Sequence, residues 1–159
     1  MLFFIRHAHA EKFIPTTKSE DLVVGDFWRP LSAKGHHQLI PWRLKILELL
    51  PKQYLWLSSP RLRCVETADI LAGHLTQTPM IQDCLDLDYP ANLAKEEIDQ
   101  LLRKHPCLVL VGHHPNLENM IQSYLGHSLH FKIPKAGMAQ LQRKGNQWYL
   151  RRLWRSGDL

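Results

Sequence analysis

No run of apolar residues in this chain approaches the length that crosses a bilayer. Met1-Leu2-Phe3-Phe4-Ile5 is too short for the core of a secretion signal, and no cationic segment precedes it. A cytoplasmic protein without membrane contact is expected. Cysteine is scarce. Cys64, Cys84 and Cys107 are odd in number and scattered, with no C-x-x-C pair. That pattern argues against a disulfide framework or a thiolate zinc site and for buried reduced thiols. H-E-x-x-H is absent too, and His36-His37 and His113-His114 are adjacent pairs whose side chains diverge rather than meet at one ion. Neither a metal nor a cofactor is called for. Internal repeats, linkers and low-complexity segments are also lacking, so residues 1–159 read as one domain.

What is present begins with charge. Twenty Lys and Arg against fifteen Asp and Glu leave a net charge of +5. Much of the excess lies at Arg143, Lys144, Arg151, Arg152 and Arg155. No nucleic-acid-binding motif accompanies them, so they read as a solvated basic face and nucleic acid is not an expected partner.

Three short apolar runs each end in chemistry. Leu2-Phe3-Phe4-Ile5 leads to Arg6-His7-Ala8-His9; Leu55-Trp56-Leu57 leads to Ser58-Ser59-Pro60-Arg61-Leu62-Arg63. Leu108-Val109-Leu110-Val111 leads to Gly112-His113-His114-Pro115-Asn116. Runs of this kind read as strands buried on both faces. If they are parallel, their carboxyl ends share one sheet edge, where ligands of open α/β sheets bind. Arginine there suits a cluster of anionic oxygens, and histidine can serve as nucleophile or base. Arg6, His7, Arg63 and His113 are thus expected to converge on one crevice.

Between the strands the pattern is helical. Residues 11–29 are irregular and polar, a long loop of the kind that contacts substrate. Ser32 is placed to cap a helix whose apolar positions are Leu39/Ile40, Leu44, Ile46/Leu47 and Leu50, with Pro41 inside it and Pro51 ending it. Ser59 before Pro60 predicts a cap and first turn for a helix reaching about His74, with Gly73 near its end. Arg63, Glu66 and Thr67 share a face of that helix; Arg63 reaches inward and Arg61 outward. Residues 78–82 suggest an edge strand, followed by Asp83, Asp86 and Asp88. Ala94, Ile98, Leu101 and Leu102 mark a third helix, and Leu117 to Leu125 a fourth closed by Gly126. Residues 136–141 and 147–153 predict a β-hairpin. The alternation argues for a three-layer α/β/α sandwich, its mostly parallel sheet carrying an antiparallel edge.

Arg6-His7, then Ser59-Pro60-Arg61-Leu62-Arg63 with Glu66-Thr67, then Gly112-His113, together with Arg29-Pro30-Leu31-Ser32 and Gly35, resemble the histidine phosphatase superfamily, whose fold is phosphoglycerate mutase-like. The short length, with no large cap insertion, is most similar to its SixA-type phosphohistidine phosphatase branch. The resemblance implies that His7 attacks phosphorus while Arg6, Arg63 and His113 hold the phosphoryl oxygens, without a metal. His9 stands where it would line the mouth of the crevice as a substrate contact; His114 faces away. Asp86, with Asp88 second, is the candidate proton donor. Ala8 stands where the family usually has glycine, and Glu66 where it often has glutamine; Glu66 is expected to orient Arg63.

An ester oxygen leaves badly unless protonated, whereas a phosphorylated imidazole leaves as a neutral ring and needs an acid less. A small uncapped site, in which Asp86 is no more than a candidate acid, therefore favours phosphohistidine on a protein, or another labile phosphoramidate, as the expected substrate. A broad small-molecule phosphomonoesterase and a catalytically silent phosphate-binding or adaptor domain remain as rivals. A phosphoglycerate-type mutase is disfavoured, because the chain is too short for the segments that enclose such a substrate. A monomer is expected.

Overall fold

The computed structural model describes residues 1–12, 25–73, 78–156 and 158. Most of the loop expected over residues 11–29, and His74 at the expected end of the second helix, lie outside them. Among the described residues, six strands form one sheet: β1 (Leu2–Arg6), β2 (Leu55–Ser58), β3 (Met80–Ile81), β4 (Leu108–Gly112), β5 (Met138–Lys144) and β6 (Gln147–Trp154), in the order β3-β2-β4-β1-β5-β6. β1, β2, β3 and β4 pair in parallel, while β5 runs antiparallel to β1 and β6 antiparallel to β5. The hairpin is thus the antiparallel edge.

Alternation along the strands divides the core in two. Phe3, Ile5, Trp56, Val109, Val111 and Met138 face one way, against helix α1 (Ala33–Leu49) and helix α2 (Leu62–Ala72). Leu2, Phe4, Leu57, Leu108, Leu110 and Leu141 face the other, against helix α3 (Ala91–Leu102) and helix α4 (Asn116–Leu125). Both faces are covered, so β1 and β4 read as unbroken apolar runs. Each Leu or Phe fully buried this way contributes roughly 1.5–3 kcal/mol. Gly126 closes α4 in the left-handed region expected of a helix-ending glycine. All three cysteines are free and buried, and Arg143, Lys144, Arg151, Arg152 and Arg155 are exposed.

Two local expectations are corrected. In α1 the inward residues are Gly35, Leu39, Trp42 and Ile46, whereas Ile40, Leu44 and Leu47 are exposed. The helix carries more apolar side chains than one face can bury, and the large Trp42 selects which set turns in. Pro41 lies within α1, which runs on through it. Secondly, α2 begins at Leu62 with Arg61 at the cap position, not with Ser59 capping Pro60. The Ser59 hydroxyl is engaged elsewhere, as described below.

The segment from Arg29 to Gly35 clasps the chain leaving β1. The backbone N–H of Glu11 donates to Pro30 O at 2.9 Å, and that of Ser32 donates to His9 O at 2.9 Å. Ser32 caps α1 by accepting from the Gly35 N–H at 3.2 Å. A Cβ on Gly35 would stand 2.1 Å from the His9 carbonyl oxygen. Glycine is required there so that the first turn of α1 can lie against the strand exit that carries His7.

Candidate active site

The backbone of His7 is held from both sides. Its N–H donates to Gly112 O at 3.0 Å, and its carbonyl accepts from Ala136 N–H at 3.3 Å. Ser59 N–H donates to Val111 O at 2.9 Å, so the ends of β1, β2 and β4 are in register. Ala8 N–H donates to the hydroxyl of Thr67, which itself donates to Arg63 O at 2.7 Å. Ala8 is not among the non-glycine residues with positive φ, which are Asp88 and Ala136 among those described. Alanine therefore replaces glycine here without left-handed strain.

The ring of His7 is buried and set in one tautomer. Its Nδ1 lies 2.7 Å from Ala8 O. A carbonyl only accepts, so Nδ1 carries the proton and Nε2 keeps its lone pair. Burial, reinforced by Arg63, Arg6 and Lys135, pulls the pKa down to about 3. Neutral Nε2 is the form that can attack phosphorus. The His113 ring lies 5.2 Å away, centroid to centroid, at 60°.

Among the described residues, Arg6, Arg61 and Arg63 stand around these rings with Asp26 and Asp86. Arg6 Nη1 donates to Ile133 O at 3.0 Å. Arg63 Nη1 donates to the Asp26 carbonyl at 2.8 Å, and its Nη2 pairs with Asp26 Oδ2 at 3.2 Å. Arg61 pairs through Nη1 with Asp26 Oδ2 at 2.7 Å and through Nε with Asp86 Oδ1 at 2.6 Å. Asp26 also pairs with Arg29 at 3.2 Å. One carboxylate thereby fastens three arginines. The Nε groups of Arg6 and Arg63 are buried without a protein acceptor among the described residues. A buried unmet donor costs about 1–3 kcal/mol, a penalty that an anionic oxygen accepting from it removes.

Ser59 Oγ sits 2.8 Å from His113 Nε2 and accepts from Arg61 N–H at 3.4 Å. Cys64 Sγ lies 3.4 Å from the same ring nitrogen. Burial pushes that thiol up to about 12, so it packs the ring rather than reacting. His113 is brought down to about 2 by burial, then by His7, Arg63, Arg61 and Arg6. Behind Arg6, the buried Glu118 accepts from Ile133 N–H through Oε1 at 2.8 Å, with His114 Nδ1 at 3.1 Å from the same oxygen. Glu118 thus holds the residue whose carbonyl receives Arg6.

These two histidines make stability pH-dependent. Both folded-state values lie below the ordinary 6.5, so the unfolded chain binds more protons in the interval between. Stability therefore falls as pH drops below about 6.5, each ring contributing up to about 1.4 kcal/mol per pH unit. In urea unfolding between about pH 6 and pH 4.5, His113→Gln should remove roughly half of the slope due to the pair. A slope equal to the parent's would mean that His113 is not held neutral.

Arg6, His7, Arg63 and His113 lie together at this edge, and Asp86 stands beside them, its Oδ1 4.0 Å from His113 Nε2. Asp88 is exposed and not in this group. His9 is half-buried beside Ser32, its Nδ1 2.7 Å from the hydroxyl. Arg61 is a correction: it turns inward, because Asp26 and Asp86 supply two carboxylates there. Glu66 is another. Its Oε2 accepts from Leu31 N–H at 2.6 Å, so it secures the approach to α1 instead of orienting Arg63. Asp26, Ser59 and Glu118 were not foreseen. The Asp26-x-x-Arg29 spacing was a usable sign for the first; a hydroxyl at a strand end serves many ends, and nothing in the pattern of α4 marks Glu118.

No family model matches the chain, and no curated protein matches it. Solved structures do. The protein histidine phosphatase SixA complexed with tungstate superposes with a TM-score of 0.77 at 16% identity, over 98% of this chain and 96% of that one. A phosphoserine phosphatase variant from Entamoeba histolytica, in complex with phosphoserine, gives 0.73 at 14%, over 98% and 97%. A mycobacterial glucosyl-3-phosphoglycerate phosphatase complexed with VO3 gives 0.73 at 16%, over 96% and 97%. At these identities what is shared is the fold. It is the mixed α/β, phosphoglycerate mutase-like fold of the histidine phosphatases.

Proposed function

We propose that this protein is a histidine phosphatase of the SixA type that hydrolyses phosphohistidine on a protein through a phospho-His7 intermediate, with no metal. The observation that carries the reading is the His7 ring: Nδ1–H committed to Ala8 O, Nε2 unprotonated, Arg6 and Arg63 beside it. Nε2 forms a bond to phosphorus as the substrate's P–N bond breaks, and the departing imidazole takes its proton from solvent. Water then cleaves phospho-His7, releasing inorganic phosphate and neutral His7. Phosphoryl transfer needs positioning and neutralised oxygen charge more than covalent assistance. Arg6 and Arg63, helped by His113 and the N-terminal turn of α2, supply both.

The test is to mix the protein briefly with a 32P-phosphohistidine peptide and quench in base, where phosphohistidine survives. One acid-labile label per chain is expected on the parent and none on His7→Gln. Turnover without label on the parent, or label on the variant, would end the proposal.

Asp86 separates this reading from an ester phosphatase. Its Oδ1 already accepts from Arg61 Nε and from Leu87 N–H at 2.8 Å, so a proton for a leaving group would have to sit on Oδ2. Asp86→Asn is expected to slow hydrolysis of an alkyl ester such as β-glycerophosphate by roughly a hundredfold and phosphohistidine hydrolysis by less than about fivefold. Equal losses on both substrates would favour the ester reading or a structural role for the carboxylate.

A further inference from the structure

The cations at the site extend beyond the phosphoryl cradle. Lys34, in the first turn of α1, is exposed. Lys135 stands on the segment between Ile133, whose carbonyl receives Arg6, and Ala136, whose N–H reaches His7. Partial burial lowers the pKa of Lys135, and the charges of Arg6, Arg29, Lys34 and Arg63 act on it in the same direction. His9, bonded to the Ser32 hydroxyl, is subject to the charges of Lys135, Lys34, Glu11 and Arg29. Neither Lys34 nor Lys135 has an ion-pair partner among the described residues. Of the described carboxylates nearby, Asp26 is shared by three arginines and Glu118 is bonded to Ile133, while Glu11 acts on His9 alongside the lysines.

Next to Arg29, Trp28 is 61% exposed. It stands edge-on to Phe27 at 5.0 Å, and Phe27 in turn packs against the Arg61 guanidinium at 5.8 Å. An exposed tryptophan on a supported base is the kind of side chain that anchors a protein partner, and a small substrate held at His7 has little use for it.

We propose that Lys34, Lys135, Arg29 and Trp28 form a docking rim that selects phosphohistidine carried on an acidic protein surface. The inference rests on the function proposed above, because it takes the phosphoryl group to be held by Arg6 and Arg63. Carboxylates flanking the phosphohistidine would pair with the lysines, and an apolar neighbour would cover Trp28. Rim charges of this kind set partner choice and salt dependence more than chemistry.

The probe is a fluorescent peptide bearing a hydrolysis-resistant triazole analogue of phosphohistidine, flanked by three Glu, three Gln or three Lys. Affinity is read by anisotropy at about 50 mM and about 300 mM salt. The Glu-flanked peptide is expected to bind the parent about tenfold more tightly than the Gln-flanked one at low salt, and the gap should narrow at high salt. Lys34→Gln and Lys135→Gln should each shrink that preference about threefold, and the double variant should nearly erase it. Trp28→Ala should weaken both peptides alike. Lys34→Gln should keep p-nitrophenyl phosphate turnover within about twofold of the parent, since it lies outside the cradle.

No flank preference in the parent, or a preference unchanged in the double variant, overturns the rim. If the lysines matter for fructose 1,6-bisphosphate but not for the peptides, the rim serves a small polyanion and the protein partner is wrong. If flank preference follows the lysines while no phosphohistidine peptide is hydrolysed, the rim stands and the proposed activity falls.

Discussion

Replacing His7 with alanine should reduce turnover of a phosphohistidine peptide by on the order of 10^4-fold, with tungstate inhibition of any residual activity retained. The nucleophile is not replaceable in place. His113 stands 5.2 Å away, but its Nε2 is held 2.8 Å from Ser59 Oγ, so it cannot swing over to attack. Glu118 is buried behind Arg6 and bonded to Ile133, and Cys64, with its thiol pushed up to about 12, is protonated and inert. Loss of rate with retained anion binding would locate His7 in the chemical step. A His7→Ala variant that keeps even a tenth of the parent rate would show that another group attacks phosphorus. Circular dichroism and thermal unfolding guard the interpretation, because truncation at a buried site also leaves a cavity.

Arg63→Ala should cost roughly 10^3-fold in kcat/KM, the largest effect expected of any residue other than His7. Arg63 is nearly inaccessible, and it reaches Asp26 through both terminal nitrogens while its Nε–H has no protein acceptor among the described residues. It therefore has a donor to give to a phosphoryl oxygen without abandoning its anchor. Arg63→Lys should recover less than about tenfold of the loss, because an ammonium cannot bond Asp26 and an oxygen in the same fixed plane. If lysine restores full activity, charge alone is needed and the geometry argued from Asp26 is irrelevant. Asp26→Asn offers a companion measurement. It leaves the three arginines in place but loosens them, and should raise KM for phosphohistidine more than it lowers kcat.

Much of the fold could be read along the chain because the signals are local. The apolar runs at Leu2–Ile5 and Leu108–Val111 are strands, since residues buried on both faces leave no polar alternation to interpret. Ser32 and Gly126 mark helix ends through interactions made within three or four residues. Parallel pairing of those strands then places Arg6, Ser59 and Gly112 at one edge. The helix faces were less legible. In α1, Ile40 and Leu44 looked as inward as Leu39 and Ile46, and the choice depended on which set met the sheet. Arg61 and Arg63 lie two residues apart at the start of one helix, where spacing suggests that one turns in and the other out. Both turn in, each toward a carboxylate supplied from elsewhere.

By itself, then, the order of residues determined that three strand ends carry an Arg-His pair, an Arg-x-Arg pair and a Gly-His pair, because each depends on side chains close in sequence. Only the tertiary structure decided how those groups are charged and aimed. Asp26 meets Arg63 across 37 positions, Ser59 meets His113 across 54, and burial deep enough to hold both histidines neutral arises only when the layers close. Electrostatic partners and desolvation depend on separation in space, and a linear pattern carries no record of that until the chain has folded.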